Sequence, residues 1–173
     1  MPAITAFHTL LKQSLWLLLL PLSMSCSGPE LEPESLAEDL LEALLADDTA
    51  ALFQHYAREA DFRDFYNRWD DKPHDMRETV TKNMEKVKRA KEKTFENWVL
   101  WKQANNIDLK ACEFRWKEFR VKRMENVEQG SVSLVINHKG DTYHWGWSQI
   151  MRCQRGWVIK RQGRFERIND DRF

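Results

Sequence analysis

Arg161 and Gln149 are the residues whose types and spacing most invite chemistry, because they fall opposite each other if their segments pair as neighbouring strands. On that register both lie between Trp147, Met151 and Ile159 on an otherwise apolar face, where a guanidinium must find a partner. An anionic or carboxylate ligand entering between sheet and helix would suit its planar fork. A helix carboxylate, or water beyond the helix end, would satisfy it equally well from within the fold. Trp98, Tyr143, Trp145 and Trp147 would line that pocket with Arg161 and Gln149, and Trp101 and Trp116 extend the aromatic set. The same spacing also describes a packed core.

No other constellation points to catalysis. His55, His74, His138 and His144 show no metal-ligand spacing, and the chain lacks C-x-x-C, H-E-x-x-H, G-x-S-x-G and a phosphate loop. No catalytic residue is assigned, no metal or cofactor is expected, and a binding role is favoured over an enzymatic one. Cys112 and Cys153 are expected as two buried free thiols. An oxidising compartment would permit a disulfide, but the strand order puts them at opposite ends of a sheet, beyond the roughly 7 Å that a bridge spans between α-carbons.

These residues are positioned by helices followed by strands. Ser35 and Glu38 read as a capping box opening a first helix with Leu36, Leu40, Leu41, Leu44 and Leu45 on its apolar face. Asp48 reads as the cap of a second helix, Asp61 of a third bearing Phe62, Phe65, Tyr66 and Trp69, and Asp75 of a fourth. In that fourth helix Met76, Val80, Met84, Val87, Phe95, Trp98 and Trp101 recur at helical spacing to about Asn105, and its Lys and Arg residues form the wet face.

Beyond Asn106 the pattern alternates, with turn signals at 126–130, 139–140 and 154–156. The stretch from Asp108 to Phe119 fits helix or strand, and strand is taken from about Ala111. A two-residue loop at Lys139-Gly140 sets Val132, Leu134 and Ile136 opposite Trp147, Trp145 and Tyr143. A three-residue loop at 154–156 then sets Met151 opposite Ile159, Trp145 opposite Phe165 and Trp147 over Gly163. The expected fold is α+β, with the helices on one face of a curved four-stranded antiparallel sheet and the other face in water.

The N-terminus carries Lys12, then an apolar run through Leu15, Trp16 and Leu17 to Leu22, then Ser23 and Ser25 before Cys26, the order of a secretory signal. The run is short and contains Pro21, whereas a span needs roughly 20 apolar residues. A cysteine directly after such a run resembles the bacterial lipobox, with Leu22 four places before the cysteine rather than three. That resemblance implies lipidation at Cys26, palmitate among the acyl groups, and a protein tethered to a membrane of the cell envelope. Ser27 and Gly28 then resemble the outer-membrane sorting context, facing the periplasm. The expected organisation is 1–25 signal peptide, 26–34 lipidated tether, 35–168 one domain and 169–173 tail.

The 173 residues carry 27 basic and 27 acidic side chains, so whole-chain charge selects no partner. Eight carboxylates and no Lys or Arg lie between Glu30 and Asp48, which makes the charge uneven along the chain. No nucleic-acid partner is expected.

The stretch from Glu42 to Leu52, helix then Asp47-Asp48 then helix, and the strand Gly156-Trp157-Val158-Ile159 after a glycine turn, resemble the nuclear transport factor two-like, or cystatin-like, superfamily. That resemblance implies a cone between helix and sheet and a function among binding, dimerisation or small-molecule catalysis. Three readings follow. The first is an envelope lipoprotein whose domain binds a protein partner, or its own copy, through the sheet; the others are a small-ligand binder or enzyme using the cone, and a periplasmic immunity or inhibitor protein.

Overall fold

The computed structural model describes residues 33–168, so Cys26, the signal segment, most of the tether and the 169–173 tail lie outside the described residues. Helix α1 spans Pro33–Leu45, α2 Thr49–Gln54, α3 Glu59–Arg68 and α4 Met76–Ala104. Five strands follow: β1 Cys112–Met124, β2 Val127–His138, β3 Asp141–Cys153, β4 Gly156–Ile159 and β5 Gly163–Ile168. The fold is α+β, with the long helix α4 against a five-stranded antiparallel sheet.

Helix starts follow side-chain chemistry. Asp48 accepts from the Ala51 N–H at 2.9 Å and Asp75 from the Glu78 N–H at 2.8 Å, so two of the expected caps hold. Two others differ. α1 begins at Pro33, whose missing N–H costs nothing in a first turn, so Ser35 lies inside the helix and Glu38 reaches Lys117 instead of a backbone donor. α3 begins at Glu59, and Asp61 takes the third helical position, from which its carboxylate reaches back to the Arg58 N–H at 2.7 Å.

On α4 the buried stripe is Val80, Val87, Ala90, Thr94, Trp98 and Trp101. Phe95 stands one residue off this stripe, a turn of about 100°, and is exposed. Thr94 replaces it inside, where its hydroxyl meets Tyr56 Oη at 2.6 Å and accepts from the Gly163 N–H at 2.8 Å.

The hairpin joining β2 and β3 has the expected register, Val132 opposite Trp147, Leu134 opposite Trp145 and Ile136 opposite Tyr143. Its loop places Lys139 and Gly140 at φ +51° and +89°, the conformation whose twist matches the flanking strands. The last hairpin corrects the expectation. Gly156 pairs with Cys153, which leaves a two-residue loop of Gln154 and Arg155 and sets Met151 against Val158 rather than Ile159. Further along, Trp145 lies opposite Phe165 and Trp147 opposite Gly163, as expected. The one-residue difference is absorbed at 160–162, which divides the expected fourth strand into β4 and β5. Both pair with β3, in the order β1-β2-β3-β4 with β5 also on β3.

The core lies between the sheet and α1, α3 and α4. At the β4 end both faces are covered: Ile150, Met151, Val158 and Ile159 are all buried. The outer edge of β4 is closed by residues 55–57, with the Ala57 N–H on the Ile159 carbonyl at 2.9 Å and the Ile159 N–H on the His55 carbonyl at 2.8 Å.

Candidate functional site

Arg161 and Gln149 do meet, with Arg161 Nε donating to Gln149 Oε1 at 3.1 Å, but the pair is exposed. The cause is a register shift. Between Val132 and Gly130 the β2–β3 ladder places two β3 residues, Ser148 and Gln149, against one on β2. Such a bulge breaks the in–out alternation, so Gln149 turns to the surface and Ile150 takes the buried position.

The aromatic candidates come together in the interior. Trp98 stacks on Trp101 at 5.2 Å between ring centres, and Trp145 meets both edge-on at 5.2 and 5.3 Å. Tyr143 stands edge-on to Trp101 at 5.2 Å, and Phe165 closes the group against Trp98 and Trp147. Edge-to-face rings at these separations attract beyond simple burial. Trp145 and Trp147 are 0% exposed and Trp98 1%. Rings therefore fill the space between α4 and the sheet. Asp47, held at φ +55° in the turn between α1 and α2, accepts from Trp98 Nε1 at 2.8 Å and from Lys102. Burial opposes ionisation of Asp47, but these two donors outweigh it and hold the carboxyl below its usual range.

The side of the sheet that no helix covers among the described residues carries the cleft of interest. Its cross-strand rows read Trp116, Val135, His144, Glu166 and, beside them, Glu118, Ser133, Gly146, Arg164. Ser131, Ser133, Gly146 and Ser148 leave a depression of about 350 Å³ rimmed by Glu118, Arg120, Arg164 and Glu166. A Cβ at Gly146 would sit 2.7 Å from the His144 ring, so a larger residue there displaces that ring. Arg120 Nε is bonded to Glu118 Oε1 at 2.8 Å. With two Arg and two Glu on its rim, the cleft is formally neutral apart from His144, which suits a surface of mixed charge better than a polyanion.

Two groups stand out that sequence pattern did not single out. At the β3–β4 turn, Arg155 bonds both Asp61 oxygens at 3.0 Å through Nε, reaches the Tyr56 carbonyl at 2.8 Å, and pins the turn to α2 and α3. Cys153 packs into the same cluster, 3.3 Å from Asp61, where burial and that carboxylate push its thiol up to about 12, so it is inert. Cys112 is free as well and only half-buried, because it opens the edge strand β1. Lys160 lies over the Phe65 ring at 5.4 Å and donates to Gln129 Oε1 at 2.8 Å. Burial, with Arg161 and Lys86 nearby, brings its ammonium down to about 8. Phe65, Lys86 and Gln129 are distant from it in sequence and belong to three different elements, so only the three-dimensional fold reveals it.

His138 is buried and accepts the Asp108 N–H at 3.1 Å, a structural role. Among the described residues no His, Cys, Asp or Glu cluster could hold a metal ion, and no helix is long and apolar enough to cross a membrane. No protein-family model matches the chain, and no curated protein or solved structure does either.

Proposed function

We propose that the chain is an exported lipoprotein, moored to a membrane of the bacterial envelope through acyl groups on Cys26, whose domain is a non-catalytic binding module of the nuclear transport factor two-like, or cystatin-like, type. Its partner docks on the helix-free face of the sheet. The observation that carries the binding-module reading is the filled interior, while the lipid anchor rests on the apolar run and small residues before Cys26. Trp98, Tyr143, Trp145 and Trp147 occupy the volume in which a cone-shaped pocket would lie, and Arg161 and Gln149 stand outside it. Small-molecule sites are enclosed and largely apolar, whereas the depression around Gly146 is open to solvent and rimmed by two arginines and two glutamates. Such a surface fits a protein rim, where hydrogen bonds and paired charges set register and specificity.

The test is a photo-crosslinking amino acid at Ser133, in the cleft, compared with one at Lys88, on the exposed face of α4. In living cells the reading expects a discrete crosslinked species from Ser133 and none from Lys88. Equal labelling from both positions, or none from Ser133, contradicts it.

A further inference from the structure

β1 stands at the end of the sheet, and among the described residues nothing pairs with its outer edge. Thirteen residues of open backbone are a template for another strand. Native edges are usually protected by charge, and β1 carries five Lys or Arg against two Glu. That charge is largely spent within the chain, however. Lys117 is held by Glu38 at 2.6 Å, Arg123 by Glu128 at 2.5 Å and Arg115 lies 3.8 Å from Glu113. The strand also exposes Phe114, Trp116 and Val121 at 41%, 39% and 45%, which a purely protective edge would not do.

We infer that this edge pairs antiparallel with β1 of a second copy about a two-fold axis at Phe119, joining the two sheets into one. A two-fold interface brings residue i to j and j to i. With Phe119 opposite its own mate, Glu118 faces Arg120 of the other copy and Arg120 faces its Glu118. The Glu118–Arg120 pair that each strand already makes at 2.8 Å thereby becomes a ring of four alternating charges. The same register sets Trp116 against Lys122, which has no ion-pair partner among the described residues, so the ammonium meets an indole. Lys117 falls opposite Val121, neutralised by its own Glu38. Directly opposed pairs of these kinds are the unit of sheet stabilisation. Arg115 faces Arg123 in this register, each already beside a glutamate of its own chain. Shifting the pairing by two residues sets Glu118 against its own mate in one direction and Arg120 against its own mate in the other, like charges face to face, and loses the charge ring.

This inference deepens the binding-module reading by naming one protein partner, a second copy; it needs neither the lipid nor an occupied cleft around Gly146, although Glu118 and Arg120 also stand on that cleft's rim. A monomeric chain would sink the inference and leave that reading standing; a dimer with no crosslink at Ser133 would do the reverse. The experiment is sedimentation velocity of the full chain in density-matched detergent, with circular dichroism confirming that each variant is folded. The native chain is expected to dimerise. Glu118→Arg sets like charges face to face and is expected to weaken the dimer by about tenfold or more, while Glu118→Arg with Arg120→Glu exchanges the signs and restores it. A chain that stays monomeric at high concentration overturns the inference, and so does a dimer indifferent to Glu118→Arg or one that the double exchange fails to recover.

Discussion

At the scale of single residues, the most informative side chain is Lys160, a charge held where water is scarce. Its pKa near 8 lies below the ordinary value near 10.5, so the folded protein gives up this proton before the unfolded chain does. Below about pH 8 both states are protonated and the folded state bears the full cost of a poorly solvated ammonium. Between about 8 and 10.5 the unfolded state binds more protons, and stability rises with pH. Replacing Lys160 by Met should therefore stabilise the domain at pH 7 by on the order of 1–2 kcal/mol, after the lost Gln129 bond is set against the relieved burial, and the gain should shrink by pH 10. Urea unfolding of both proteins at the two pH values checks this. A difference that does not change with pH would mean that Lys160 titrates normally. None of this was legible in the sequence, because Phe65, Gln129 and Lys86 reach Lys160 from three separate elements. The caps at Asp48 and Asp75 were legible, since donor and acceptor lie within one turn.

At the scale of elements, what could be read was periodicity, and what could not was its interruption. The Lys139-Gly140 loop fixes the register of β2 on β3 because the loop type leaves no freedom, and the aromatic stripe follows from it. The Ser148–Gln149 bulge was invisible because two adjacent polar residues look the same whether one or both face water. That bulge turns Gln149 to the surface, while Arg161 lies in the break between β4 and β5. The same limit explains Phe95, whose size suggested burial although Thr94 holds the position on the stripe. Gly130 is the element-scale weak point: a Cβ there would lie 2.2 Å from the Arg120 carbonyl oxygen of β1. Backbone cannot yield as a flexible side chain does, so Gly130→Ala should cost about 2–3 kcal/mol and loosen β1 first. Hydrogen exchange should then accelerate across β1 and β2 while α4 keeps its protection. Uniform acceleration, or none, would contradict so close an approach of the two strands.

At the scale of the whole molecule, a filled aromatic interior, a helix layer on one side and a neutral, mixed-charge sheet surface on the other describe a body suited to being held in place and contacted from outside. On this reading the short segment from Ser27 to Glu32, with Gly28 and Pro29, links α1 to Cys26. Mooring by several acyl chains, each buried methylene contributing about 0.8 kcal/mol, would keep the domain at the membrane for long periods. The most direct test is intact-mass analysis of the protein recovered from the membrane fraction. The account predicts a mature chain that begins at Cys26 and carries a diacylglyceryl group on its sulfur; a chain that begins elsewhere, or begins at Cys26 with a free thiol, would contradict it.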